Sequence, residues 1–174
     1  MMETQRNESY FADYMKAMST LYKEIRPQEY IASMISEANW IVRSRCSCGE
    51  ELGIVLKPGD ICYFDFGQAY YNECGYQHFG LVLNVVCHKA LVIPMTSNKA
   101  TIAKAYDPIK NPQGRKNLFA IGMLEGMNKP SVLFVNDIKS INTSRTIRVI
   151  AHMNPTSRQF RDIQERLKVL LFQS

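Results

Sequence analysis

Two amphipathic helices are predicted before residue 50, because apolar residues recur there at three- and four-residue steps. The apolar positions of the first helix are Phe11, Tyr14, Met15, Met18, Leu21, Tyr22 and Ile25. Those of the second are Ile31, Met34, Ile35, Ala38, Ile41 and Val42. Pro27 suits the first turn of the second helix. The pattern predicts a helical hairpin whose two apolar stripes pack on each other and on the chain that follows.

The pattern changes after residue 55, where short apolar runs alternate with turn signals, as is typical of β-strands. The runs cover residues 61–66, 80–86, 90–94, 118–124, 131–135, 138–141 and 145–149. The short link of residues 87–89 predicts a β-hairpin. A last helix follows Asn154 and Pro155, with Phe160, Ile163 and Leu167 on its apolar face. The fold class predicted is therefore α+β, mainly β.

Residues 98–117 are the least regular part of the β-rich region. The segment is polar and carries Lys99, Lys104, Lys110, Arg115 and Lys116. Loops of this length are usually functional or disordered, so we expect one of these two roles here.

Length and composition place the chain among soluble globular proteins, with 174 residues, 46% of them hydrophobic and 21% charged. We expect a helical extension in residues 1–50 and one β-rich domain in residues 55–174. The net charge of +5 mildly favours an anionic partner such as nucleic acid. The sequence shows no signal peptide and no membrane span. Five cysteines without zinc-type spacing favour a reduced, cytoplasmic protein without a metal or other cofactor.

Four segments, in order, resemble the MazF/PemK family of toxins. Residues 58–66, PGDICYFDF, resemble the family's opening strand. Residues 73–83, ECGYQHFGLVL, lie where the family has a glutamate, then Arg-Pro and an apolar strand. Residues 92–97, VIPMTS, resemble a strand that ends in Pro-x-Thr-Ser/Thr, and residues 136–141, NDIKSI, resemble a late Asp-x-x-Lys-Ser-Ile.

The resemblance covers residues 55–172 and implies an SH3-like small β-barrel with a C-terminal helix. It also implies a homodimer, a cognate antitoxin as partner, and metal-independent cleavage of single-stranded RNA. By the resemblance, Glu73, His78 and Thr96 fall at the family's catalytic positions. The sequence departs from the family at His78, where most members have arginine, and at Phe79, where they have proline.

Metal-free cleavage of RNA requires proton transfer and stabilisation of a charged phosphorane. His78 is suited to the proton transfer near neutral pH, and the Thr96 hydroxyl to holding a phosphate oxygen. The cation that the family's arginine supplies must come from elsewhere. The candidates for it are Lys99, Arg115, Lys116 and Arg145. The candidates for base stacking and other RNA contacts are Tyr70, Tyr71, Tyr76, Phe79 and Ser97.

Two alternatives stay open at the level of sequence. In the first alternative, the barrel is a catalytically inactive module that binds nucleic acid or inhibits a protein, as gyrase-poisoning toxins of similar fold do. In the other alternative, the N-terminal helices cover the cleft as a built-in inhibitor. The first alternative is distinguished by geometry, because an enzyme requires His78, Thr96 and a basic side chain in one exposed cleft. A buried His78 bonded to backbone favours the binding module.

Overall fold

The computed structural model describes the backbone of residues 2–172 and the side chains of residues 7–172; Met1, Gln173 and Ser174, which belong to the predicted ranges, lie outside the described residues. The described residues form four α-helices: α1 (Met2–Glu24), α2 (Pro27–Arg43), α3 (Lys99–Ile102) and α4 (Arg158–Phe172). The two N-terminal helices and the C-terminal helix are those predicted from the apolar spacing. None of the described helices is both long and apolar enough to cross a membrane.

Eight strands form one sheet. They are β1 (Asp60–Asp65), β2 (Gln77–Val86), β3 (Lys89–Thr96), β4 (Ala105–Tyr106), β5 (Arg115–Gly122), β6 (Ser131–Phe134), β7 (Lys139–Asn142) and β8 (Thr146–His152). The strand order is β4-β5-β6-β3-β2-β1-β8, and β7 pairs with the first half of β3. The mixed α+β class with a C-terminal helix is confirmed. The outer strands β4 and β8 do not pair with each other, so the ladder is open.

The β2–β3 hairpin is the prediction that the structure confirms most directly. Val86 pairs with Lys89, and the two residues between them, Cys87 and His88, both have positive φ, at 47° and 63°. Two positive φ values are the geometry of the type I′ turn, whose twist matches that of the strands it joins.

The core lies on both faces of the sheet, because side chains alternate along β1, β2 and β3. One face buries Ile61, Leu81 and Ile93 against α4, which contributes Phe160, Ile163 and Leu167. The other face buries Cys62, Phe64, Val82, Val92 and Ile141. Two-sided burial explains why the strands are continuous apolar runs rather than alternating ones.

The predicted packing of the two N-terminal apolar stripes is wrong. Phe11, Met15, Ile31 and Ile41 are exposed, and the buried residues of α2 are the polar Ser33 and Ser36. The reason is Asp65 at the end of β1, which is 5% exposed and must be hydrogen-bonded. It accepts hydrogen bonds from Ser36 Oγ at 2.6 Å and Asn39 Nδ2 at 2.7 Å. Helix α2 therefore turns its polar side to the sheet.

Residues 98–117, expected to be irregular, are largely ordered. Asn98 caps α3, because its Oδ1 accepts hydrogen bonds from the backbone N–H groups of Ala100 and Thr101. The chain then forms β4, which pairs parallel with β5. Two short elements of four and two residues are too brief to leave a periodic signal in the sequence.

Candidate functional site

A cleft of about 900 Å³ opens beside the loop that joins β1 to β2. Its walls come from four places along the chain: residues 69–76 of that loop with His78, the region of α3, the start of β5, and the residues after β6. The aromatic and ionisable side chains of these walls include Tyr70, Tyr71, Glu73, Tyr76, His78, Lys104, Arg115 and Asp137. Glu29 is the only described residue of the helical extension that lines this cleft. The N-terminal helices therefore do not cover the cleft as a built-in inhibitor would.

The β1–β2 loop is held in shape by hydrogen bonds at its base and its middle. Phe66 N donates to Tyr76 O at 2.8 Å, and Tyr76 N donates to Gly67 O at 2.6 Å. Gly75 is required there, because an added Cβ would lie 2.4 Å from the Cβ of Ala69. The loop is therefore a formed wall of the cleft.

An ion cluster ties the middle of this loop to β7. Asp137 Oδ2 accepts a hydrogen bond from Cys74 N at 2.7 Å, and its Oδ1 lies 3.1 Å from Lys139 Nζ. Lys139 Nζ also lies 3.7 Å from Glu73 Oε2. Glu73 thus reaches the cleft, as the resemblance implied, but its carboxylate shares a lysine with Asp137. This arrangement favours a structural role for Glu73, Asp137 and Lys139.

His78 lies at the start of β2, half-buried, in the wall of the cleft. Its Nδ1 is 2.6 Å from the carbonyl oxygen of Gly75. A carbonyl can only accept a hydrogen bond, so Nδ1 carries a proton and the neutral ring keeps Nε2 as an acceptor. The backbone bond was expected to mark a binding module, but it also fixes the tautomer that a general base needs.

Thr96 lies next to His78 by strand register. Phe79 pairs with Met95 in the β2–β3 ladder, so the next positions outward are His78 and Thr96, on one face of the sheet. The Thr96 hydroxyl oxygen accepts a hydrogen bond from Asn98 N at 3.2 Å. The hydroxyl proton is therefore left to donate to a ligand. Thr96 itself is not among the residues that line the cleft.

Lys104 and Arg115 form the basic side of the cleft. Arg115 N donates to Lys104 O at 2.8 Å, which keeps the two residues side by side at the β4–β5 pair. Gly114 permits this close approach, since a Cβ there would lie 2.3 Å from Ala105 O. Both cations are exposed and line the cleft. Arg115 is one of the cations that the sequence predicts for the site, whereas Lys104 is predicted only as part of the basic segment of residues 98–117.

The other candidates are divided between the cleft and the rest of the surface. Tyr70, Tyr71 and Tyr76 line the cleft, and Tyr71 is 94% exposed. Phe79 points to the opposite face of β2 from His78, where its ring lies 4.9 Å from that of Tyr63. Six candidates do not line the cleft: Phe79, Thr96, Ser97, Lys99, Lys116 and Arg145. Arg145 instead donates to Asp65 O at 3.3 Å, beneath α2.

The cysteines near the site are poor nucleophiles and ligands. Burial raises the pKa of the Cys74 thiol to about 12, and the charge of Asp137 adds to the effect. Burial likewise raises the pKa of Cys62 to about 12, with a further contribution from Asp60. Among the described residues, no three His, Cys, Asp or Glu side chains are grouped so that they could hold a metal ion. The chemistry available in the cleft is therefore that of a histidine, hydroxyls, two cations and the carboxylates of Glu29, Glu73 and Asp137.

The elements around the cleft define a small α+β protein with an open eight-stranded sheet, one C-terminal helix packed on it, and a cleft of mixed charge beside the β1–β2 loop. Among solved structures, this architecture is that of the MazF toxins. MazF from Deinococcus radiodurans superposes with a TM-score of 0.50 at 16% identity, over 68% of this chain and 98% of that one. The chain thus has a MazF/PemK-type toxin fold.

Two further structures are similar to the same part of the chain. The Mycobacterium tuberculosis toxin MazF-mt6 has a TM-score of 0.45 at 14% identity, over 65% of this chain and 96% of that one. An endoribonuclease in complex with its cognate antitoxin, from a mycobacterial species, has a TM-score of 0.47 at 10% identity, over 69% and 98%. Because these structures cover 65–69% of this chain, about a third of it has no counterpart in them. No family model and no curated protein sequence matches the chain.

Proposed function

We propose that this protein is a metal-independent endoribonuclease that cleaves single-stranded RNA, the toxin of a type II toxin–antitoxin pair. The observation that carries the proposal is the convergence of His78, Lys104 and Arg115 on one cleft rimmed by exposed tyrosines. The toxin fold and the order of the four resembling segments support it.

The cleavage step uses groups that are already in place. His78 Nε2 takes the proton of the ribose 2′-hydroxyl, and the resulting oxyanion attacks phosphorus. The P–O5′ bond breaks, the 5′-oxygen is protonated by solvent, and the product carries a 2′,3′-cyclic phosphate. Arg115 and Lys104 stabilise the charge of the phosphorane, in place of the family's arginine. Thr96 lies beside His78 by strand register but outside the lining of the cleft, so this proposal gives it no bond to the phosphate.

RNA recognition is assigned to the tyrosines on the β1–β2 loop. Stacking of an unpaired base on an aromatic ring is worth about 1–3 kcal/mol, and Tyr70 and Tyr71 are 87% and 94% exposed. Glu73 remains a positioning residue in this proposal, because it holds the loop through Lys139.

The proposal includes a cognate antitoxin, a homodimer through the sheet and a cytoplasmic location. We further propose that residues 55–174 form an SH3-like barrel domain and that residues 1–50 are a helical hairpin added to it. The antitoxin is supported by the complex among the similar structures, and the location by the five unpaired cysteines.

The decisive experiment incubates the purified full chain with a long single-stranded RNA in EDTA. We expect discrete fragments that end in cyclic phosphate. His78→Ala lowers the rate about 10²–10⁴-fold, the range for a lost general base. His88→Asn is the matched control, since His88 is an exposed histidine at the tip of the β2–β3 hairpin and asparagine tolerates its positive φ. Equal rates for wild type and His78→Ala would refute the role of His78.

A catalytically inactive binding module is the second candidate. The hydrogen bond from His78 to Gly75 O and the shared lysine of Glu73 favour it, since both groups then have structural partners. Fluorescence anisotropy with labelled single-stranded RNA distinguishes the two. RNA that is bound, weakened by Arg115→Ala, and recovered intact would establish the binding module and end the nuclease proposal.

A further inference from the structure

Helix α2 has two faces, and the structure uses one of them. Its polar face lies against the sheet, where Ser33, Ser36 and Asn39 meet the β1–β2 region. The opposite face carries the outer stripe, defined as Ile31, Met34, Ile35, Ala38, Ile41 and Val42. Every residue of the outer stripe is exposed; Ile41 is 63% and Val42 69% exposed.

Helix α2 cannot bury the outer stripe by rotating on the sheet. A rotation would remove Ser36 and Asn39 from the carboxylate of Asp65 and leave a buried charge with fewer partners. It would also break the hydrogen bonds from Arg43 to Ser144 O at 3.0 Å and to Thr146 O at 2.7 Å. The polar face is therefore committed to the sheet.

Helix α1 does not cover the outer stripe either. It meets α2 through Tyr22, whose hydroxyl donates to Glu37 Oε1 at 2.6 Å and lies 3.2 Å from Ser33 Oγ. Glu37 adjoins Met34 and Ile41, so α1 borders one edge of the stripe and leaves the stripe residues exposed. A cover for the stripe must come from another molecule.

The area of the outer stripe matches what a specific dimer needs. Five large apolar side chains, each about half exposed or more, present on the order of 500 Å². Two copies of the stripe packed together would remove about 1,000 Å² from water, which is the lower limit for a specific interface. A patch of this size is comparable to the largest apolar patch of a typical monomer, and such patches are often functional.

The spacing and charge of the outer stripe fit a second copy of α2. Ile31 and Ala38, Met34 and Ile41, and Ile35 and Val42 are each seven residues apart, as in the seam between two packed helices. Glu37 is the only charged side chain from residue 31 to residue 42, so two stripes meet without a row of like charges. An antiparallel pair also places the positive end of each helix dipole near the negative end of the partner's helix dipole.

We propose that the outer stripe of α2 is a self-association surface that packs antiparallel against the same stripe of a second copy of this chain. The contact is isologous, so a two-fold axis passes near the middle of the helix. This surface is separate from the sheet and from the cleft, and it stands whether or not the cleft cleaves RNA.

The test measures the dissociation constant of self-association for the full chain by sedimentation over a dilution series. The variant Ile35→Glu/Ile41→Glu places two charges in the stripe, and we expect the dissociation constant to rise at least about 100-fold. Ile41→Ala removes part of one side chain without adding charge, and we expect a rise of about 10-fold. The matched control is Val55→Glu/Ile109→Glu, two residues that are 71% and 88% exposed outside α2.

Two checks make the outcome unambiguous. Hydrogen exchange of residues 27–43 that matches wild type shows that α2 is still docked in a variant, because undocking frees the helix amides to open. The sheet is identical in every sample, so association through it contributes equally to all of them. Equal dissociation constants for wild type and both stripe variants would overturn the proposal.

Discussion

Asp65 holds α2 to the sheet, and its replacement should release the helix. The carboxylate accepts hydrogen bonds from Ser36 and Asn39 of α2, and from Gln77 Nε2 at 3.2 Å and Gly67 N at 3.0 Å on its own side. In Asp65→Asn one oxygen becomes a donor that faces other donors, and the charge is lost. The two bonds from α2 are therefore the ones most directly weakened.

The magnitude follows from the strength of those bonds. A hydrogen bond to a buried charged group contributes about 1.5–3 kcal/mol net, so weakening the pair costs about 3 kcal/mol of docking free energy. Every 1.4 kcal/mol is a factor of ten, so the amides of residues 27–43 should exchange about 100-fold faster. The strands of the core should keep their protection, because Asp65 lies at the end of β1.

Hydrogen exchange followed by mass spectrometry measures this segment by segment. Asp65→Ala should give at least the same increase, since it removes both acceptor oxygens. Asp107→Asn is the matched control, because Asp107 also accepts backbone hydrogen bonds, from Ile109 and Lys110, in a loop remote from α2. Unchanged exchange of residues 27–43 in both Asp65 variants would show that α2 is held by other contacts and refute the argument.

Three further predictions follow from the same geometry. Burial alone would raise the pKa of Asp65, but its hydrogen bonds together outweigh this effect and hold the pKa below the ordinary 3.8. The contribution of Asp65 to α2 docking is therefore fully present above pH 3.8 and is lost as the pH falls through the lowered pKa. Hydrogen exchange of residues 27–43 as a function of pH measures this loss. Gly114→Ala forces a Cβ against Ala105 O and should disturb the position of Arg115, lowering RNA affinity by roughly tenfold in anisotropy titrations at fixed salt. Gln113→Ala, at the exposed neighbouring position, should leave the affinity unchanged. Lys139→Met leaves Asp137 without its cation and should increase exchange of residues 67–76 about tenfold, while Lys89→Met on the neighbouring strand should leave it unchanged.

Local signals in the sequence were sufficient for most of the fold. The β2–β3 turn, the C-terminal helix and the apolar runs of β1 to β3 depend on residues close in the chain, and each is present. The predicted start of that helix is wrong, because it begins at Arg158, with Ser157 Oγ accepting from Phe160 N, and not at Asn154 and Pro155. The order of four short motifs identified the fold before any contact was known, and MazF from D. radiodurans confirms it.

The errors concern contacts between distant residues. The apolar stripe of α2 predicts the helix correctly but predicts burial of the wrong face. Asp65, which lies outside that helix, determines which side is buried. Lys104 had no distinguishing pattern, and it reaches the cleft through a two-residue parallel pairing with β5. Phe79 adjoins His78 in sequence, yet alternation along β2 sends the two side chains to opposite faces.

The pairing of β1 with β8 has a consequence for synthesis of the protein. Cys62 lies opposite Val149, so half the length of the chain separates the two partners. At about 5–20 residues per second, a ribosome needs on the order of ten seconds to make the intervening segment. Throughout that time β1 of the nascent chain has one edge without a hydrogen-bonding partner, and such edges are sites of aggregation. Translation speed, or a chaperone that covers β1, should therefore govern the yield of folded protein.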